Sequence, residues 1–314
     1  MKVFVNYQEG ASTLEQTLVR DSEALSKKLN YNLLEKYNNN QLATITSGDL
    51  PPEKPNVNVN WFAYHTVDRN PEIQINHKLD KPFKYLFLNA LPRDNRVLLL
   101  KELNARMLLG ESIWTDLMGA LNGYPKRLDS RYEKPIEDIL DHLALCHNSA
   151  EINVDLYHDT YFSLITETVH WDQPYSMLTE KFYKPILACH PFIVAANPGV
   201  YDYIHSLGFK TFEPWIDESF DKETNLNVRM HMICNEVDKL CRSDLKQFMR
   251  ATWPIVEHNA NRLIEIWKSW QTDTVGKIMQ FHVDHNINPS SDQIVITDRY
   301  SKETLKRQES AKKP

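Results

Sequence analysis

Apolar and polar positions alternate in blocks along this chain. Residues 84–89, Lys-Tyr-Leu-Phe-Leu-Asn, form a continuous apolar run of strand length, and beyond Pro92 the apolar positions Val97, Leu98, Leu100, Leu103 and Leu108 fall at helical spacing. The same order recurs downstream: a strand over 161–166, a helix over 178–188 and a buried strand over 192–196. Asn197-Pro198-Gly199 then makes a turn, 200–207 a short helix closed by Gly208, and 210–212 one more strand. Pro135 sits in the first turn of a helix predicted over 135–146. Upstream, residues 2–7 read as a short strand, Ser12-x-x-Glu15 as a capping box opening a helix to about residue 29, and 42–46 and 57–64 as strands separated by the proline-rich 51–55. From residue 224 onward the pattern is almost wholly helical, with Pro254 expected at a helix start or kink.

Strands alternating with helices predict an α/β fold with a parallel, doubly wound sheet. The polar segment 69–81, which contains Pro71, is the best internal boundary. The expected organisation is a small N-terminal α/β domain over 1–80, a Rossmann-like domain over 81–242, C-terminal helices packing back over 243–298 and a tail over 299–314. At 314 residues the chain exceeds the size at which single cores stop growing, which agrees with two domains.

Composition sharpens the picture in four places. Hydrophobic residues at 42% and charged residues at 25% exclude a disordered or fibrous chain. The net charge is −6, so nothing global demands a polyanionic partner, yet Arg299, Lys302, Lys306, Arg307, Lys312 and Lys313 face only Glu303 and Glu309 in the tail. There are only 8 glycines, and neither G-x-G-x-x-G nor G-x-x-x-x-G-K-[ST] occurs, so any phosphate must be held by side chains and helix N-termini. The 4 cysteines show no C-x-x-C spacing and the first residues lack a long apolar core, which points to a reducing, cytoplasmic setting without a signal sequence. No apolar run reaches the 18 or so residues of a membrane span; 186–196 is broken by His190 and Pro191.

Three segments place polar groups at carboxyl ends of predicted parallel strands, where open α/β sheets bind ligands. Asn89, Arg93 and Arg96 stand at a strand end and the start of the next helix, where guanidinium forks and the helix dipole both suit phosphate oxygens. Strand 161–166 runs directly into Glu167. Thr179 can cap a helix whose first residues are Glu180 and Lys181, and a lysine in a first turn opposes the dipole unless an anion offsets it. Against these stands a plainer reading for each segment, a solvated first turn with surface ion pairs.

Phe-Ser-Leu-Ile-Thr-Glu over 162–167, Leu-Thr-Glu-Lys over 178–181 and Ala-Cys-His-Pro-Phe-Ile-Val over 188–194 resemble the donor-binding signature of the α1,3-fucosyltransferase family, with its Phe-x-Leu-x-x-Glu-Asn and Val-Thr-Glu-Lys motifs. Leu88-Asn89 followed by Arg96, Glu102 and Leu103 is similar to that family's first donor-domain strand and arginine-bearing helix, and the segment 209–221 resembles phage-encoded relatives. The likeness covers residues 84–220 in outline; Thr168 stands where the family has asparagine. It implies a GT-B arrangement of two Rossmann-like domains and an inverting glycosyltransferase. The donor would be a nucleotide-diphosphate sugar held by Asn89, Arg93, Arg96, Glu167, Thr179, Glu180 and Lys181. Arg96 and Lys181 would neutralise the diphosphate, Glu180 would hold ribose hydroxyls, and Glu167 would lie near the sugar. The acceptor would be a glycan, a protein or a hydroxylated DNA base, in the host cytoplasm if the chain is phage-encoded.

Breaking a sugar–diphosphate bond leaves a developing dianion, so fixed cations at the leaving group stabilise the transition state more than the ground state. Inversion also needs a general base on the acceptor side, for which Glu9, Asp49, His65 and Asp68 are the candidates. No cofactor is implied, and no D-x-D occurs, so no metal is expected; His282-Val283-Asp284-His285 reads better as a surface turn than as a metal site. His142 and His147 read as separate, partly buried residues, Cys189 beside His190 as packing, and Trp253, Trp267 and Trp270 as a core stripe. The competing reading from another class is a non-catalytic nucleotide-sugar-binding protein or a helical interaction module.

Overall fold

The computed structural model of the chain describes residues 3–5, 43–46, 56–58, 60–71, 73, 78–89, 93–116, 152–172, 176–284 and 294–296. The helices expected over 12–29 and 135–146, together with His142, His147, His285 and the tail, lie outside them. The fold is α/β, and the chain divides into two compact units, one made of Met1–Trp61 with Ser269–Pro314 and the other of Phe62–Lys268.

In the first unit, β1 (Val3–Val5), β2 (Ala43–Thr46), β3 (Asn56–Asn58) and β8 (Ile294–Ile296) form a parallel sheet in the order β3-β2-β1-β8. Val3 aligns with Ala43 on one side and with Ile294 on the other. The helical reading of the C-terminal region did not foresee β8.

The second unit carries β4 (Phe83–Asn89), β5 (Ser112–Asp116), β6 (Thr160–Thr166) and β7 (Phe192–Ala195), again all parallel, in the order β5-β4-β6-β7. Such a sheet is compatible with a Rossmann-like arrangement. All seven residues of β6 are buried, as expected for a central parallel strand covered on both faces. Around the sheet lie α1 (Trp61–Asp68), α2 (Asp94–Ala105), α3 (Val154–His158), α4 (Glu180–Leu187), α5 (Val200–Ser206) and α6 (Leu226–Arg242). The long α7 spans Leu245–Asp284, and the division between the units falls inside it. Helix α2 packs on α6, and edge-to-face contacts link Phe182, Phe192, Phe209, Phe212 and Phe248 in one core.

The sequence expectations fail at four places, each for a local reason. Residues 61–64 belong to a helix rather than a strand, because Ala63, Thr66 and Val67 bury one face at helical spacing. The segment 210–212 is not a strand: the side-chain amide of Asn259 pairs with both backbone groups of Lys210, accepting from its N–H at 2.8 Å and donating to its carbonyl at 2.8 Å, while Glu218 accepts from the N–H of Phe212 at 3.2 Å. Pro254 sits inside α7 rather than at its start, where it and Arg250, the residue whose carbonyl it leaves without a helical N–H, both face solvent. Residues 282–284 continue α7 instead of forming a turn. Gly208 does close α5, at a φ of 86° that favours glycine.

Candidate functional site

Strand order decides where a ligand can sit. From β4 the chain moves to β5 on one side and then to β6 on the other, so the connections diverge at the carboxyl ends of β4 and β6, the place where open α/β sheets bind ligands. The described site residues gather at this edge.

Helix α2 begins on it, and its first turn grips the exit of β6 carbonyl by carbonyl. Arg96 donates from Nε to Thr166 Oγ1 (3.2 Å) and from Nη2 to the Thr166 carbonyl (3.4 Å), Asn95 Nδ2 donates to the carbonyl of Glu167 (3.2 Å), and Arg93 Nη1 donates to that of Thr168 (3.2 Å). Thr166 Oγ1 in turn donates to Asn89 Oδ1 at 2.7 Å. Asn89 is only 4% exposed, and its Nδ2 has no partner among the described residues. Arg96 is also 4% exposed, and its guanidinium ties α2 to β6.

A second grip comes from α4. Glu167 is wholly buried, at 0% exposure, and both carboxylate oxygens are taken by Thr179, whose N–H donates to Oε1 at 2.8 Å and whose hydroxyl donates to Oε2 at 2.7 Å. Thr179 caps α4 as predicted, accepting from the N–H of Lys181. Burial raises the Glu167 carboxyl above its ordinary range; Lys181 and the Thr179 bonds pull it down without overturning that. Glu167 is therefore a positioning residue, tied to α2 through its carbonyl and to α4 through its side chain. Lys181, whose side chain is 29% exposed, donates to Glu180 Oε1 at 2.8 Å and to Thr179 Oγ1 at 3.1 Å. The anion that offsets a lysine in this first turn is thus, at least in part, Glu180. Burial would raise the Glu180 carboxyl, but Lys181 and Lys184 outweigh it and hold it low.

Sequence reasoning missed His170, which follows the β6 exit by four residues. Its Nδ1 lies 3.1 Å from the Thr168 carbonyl, the same oxygen that Arg93 reaches, and its own carbonyl accepts from Nη2 of the buried Arg229. A histidine three residues beyond the strand-end glutamate is a signal the sequence does carry. Asp221 was missed as well: its Oδ2 accepts from the N–H of Tyr201 at the start of α5, and burial raises it to about 6.

The general-base candidates do not join this edge. His65 accepts from Nε of Arg69 on α1 at 3.3 Å and Asp68 is exposed, with no described bond from either to the edge; Glu9 and Asp49 lie outside the described residues. His190 is a satisfied core residue, bonded to Ser163 Oγ at 2.8 Å and to the Thr160 carbonyl at 2.6 Å, and burial lifts the neighbouring Cys189 thiol to about 11. Trp267 packs against the core, whereas Trp253 is exposed. Among the described residues no cluster of histidine, cysteine, aspartate and glutamate could hold a metal ion, and no helix is long and apolar enough to cross a membrane. No protein-family model and no curated protein matches the chain.

Proposed function

We propose that the protein is an inverting glycosyltransferase that moves a sugar from a nucleotide-diphosphate donor to a hydroxyl of a glycan, a protein or a hydroxylated DNA base. One observation carries this reading. Glu167 joins two cation-bearing helix starts, Arg93 to Arg96 and Thr179 to Lys181, at one edge of the sheet, so cations from two separate elements stand where a parallel sheet accepts ligands. In this reading Arg93, Lys181 and the amino ends of α2 and α4 face the diphosphate, Asn89 supplies a donor from its unpartnered Nδ2, and Glu180 binds ribose hydroxyls when Lys181 turns to phosphate. As the sugar–phosphate bond lengthens, charge grows on the leaving oxygens, and cations fixed in advance stabilise it without reorganising.

The test is a screen of UDP-, GDP-, CMP- and dTDP-sugars by thermal shift and by turnover, with Lys181→Ala beside the wild type. A stabilising donor that is consumed by the wild type, with kcat/KM about 10²-fold lower in the variant at a temperature where both proteins are folded, supports the assignment. Stabilisation without transfer or donor hydrolysis points to a binding protein instead, and normal turnover by Lys181→Ala overturns the role given to that residue.

A further inference from the structure

His170 is fixed more firmly than packing requires. Its backbone is held by Arg229, which is almost completely buried and also donates to the carbonyls of Glu223 and Thr224. Its ring is held at Nδ1 by the Thr168 carbonyl and packs edge-on against Trp171, with centroids 5.0 Å apart. A carbonyl can only accept, so Nδ1 carries the hydrogen and the neutral ring presents Nε2 as a lone-pair acceptor. The residue is only 7% exposed, and no hydrogen bond to Nε2 is described. An imidazole oriented through one nitrogen, with no described bond on the other, at the carboxyl edge of the sheet, is the arrangement a proton acceptor needs.

We infer that His170 is the general base of the transfer, a role that rests on the glycosyltransferase reading above. In the step, Nε2 takes the proton of the acceptor hydroxyl while its oxygen bonds to the anomeric carbon. The bond from that carbon to the phosphate oxygen breaks, and its electron pair leaves with the nucleoside diphosphate. The surroundings favour the form required. Burial lowers the His170 pKa below its ordinary 6.5, Arg93 at the start of α2 and Arg229 on α6 lower it further, and Asp94 on α2 together with the Thr168 bond opposes them without prevailing. The ring is neutral at pH 7 and accepts protons only from groups brought against it.

The discriminating variant is His170→Asn, whose side-chain amide can keep the bond to the Thr168 carbonyl while removing Nε2. With the donor found by the screen, kcat should fall about 10²- to 10⁴-fold, with donor Kd and melting temperature unchanged. The wild-type kcat/KM should decline below a pKa under 6.5, and that acidic limb should vanish in the variant. The wild-type limb, with inactivation by diethyl pyrocarbonate that saturating donor and acceptor prevent, reads the same role should the variant fold poorly. Wild-type kcat in His170→Asn, or an acidic limb that persists unchanged in that variant, overturns the inference while leaving the transferase reading standing. If the wild type consumes no nucleotide sugar, that reading falls and the base role falls with it.

Discussion

Replacing Thr179 by valine tests the joint between the β6 exit and α4. The two side chains have nearly the same shape, so the change removes a hydroxyl and little else. That hydroxyl donates to the buried Glu167 Oε2 at 2.7 Å and accepts from the N–H of Lys181 as the cap of α4. Losing the cap costs about 1 kcal/mol. Leaving a buried carboxylate oxygen short of a donor costs about 1–3 kcal/mol more. The sum of about 2–4 kcal/mol corresponds to a fall of roughly 4–16 °C in melting temperature for a unit of this size. The loss should also depend on pH. The folded Glu167 pKa already lies above its unfolded value, so this group's contribution is greatest below the ordinary glutamate range and declines as pH rises through the folded pKa. Valine removes one of the bonds that restrain the shift, so the variant's deficit grows between pH 5 and pH 8. Thermal unfolding followed by tryptophan fluorescence at both pH values, with Thr179→Ser as a control that keeps the hydroxyl, gives the answer. A loss under about 0.5 kcal/mol, or one of equal size at pH 5 and pH 8, refutes the reasoning.

Two further changes separate structure from binding. Arg96→Met should lower stability by about 2–4 kcal/mol in urea titrations, because it deprives the buried Thr166 of both guanidinium bonds; a variant as stable as the wild type would return Arg96 to the role of a free phosphate ligand. Glu218, raised by burial to about 7, contributes stability that is lost as pH rises from the ordinary glutamate range through 7, so the difference in melting temperature between Glu218→Gln and the wild type should move in favour of the variant from pH 5 to pH 8.

Strands β4, β6 and β7 could be read from sequence because they are mostly apolar runs, whereas β5, Ser-Ile-Trp-Thr-Asp, is mixed and was not foreseen; Thr179 was identifiable as a cap from the order of its neighbours alone. What escaped notice depends on partners far along the chain. Residues 210–212 look like a strand until Asn259, 49 residues away, takes the backbone of Lys210. The setting of His170 needs Arg229, 59 residues on. Arg93 and Arg96 were recognised as strand-end cations, yet spacing cannot tell a guanidinium that points outward from one that bonds the next strand, and Arg96 does the latter. Residues 61–64 were lost to a choice of period, since Trp-Phe-Ala-Tyr fits either a strand or the first turn of a helix.

The register that pairs Val3 with Ile294 bears on the order of assembly. The second unit is one uninterrupted stretch, complete once Lys268 has been made, whereas the first is assembled from both ends of the sequence. At typical synthesis rates β8 follows β1 out of the ribosome by roughly 15–60 s, during which β1 has no strand on that flank. The Phe62–Lys268 unit can thus form while the chain is still tethered, and the first sheet is finished last, by pairing strands from the two ends of the sequence.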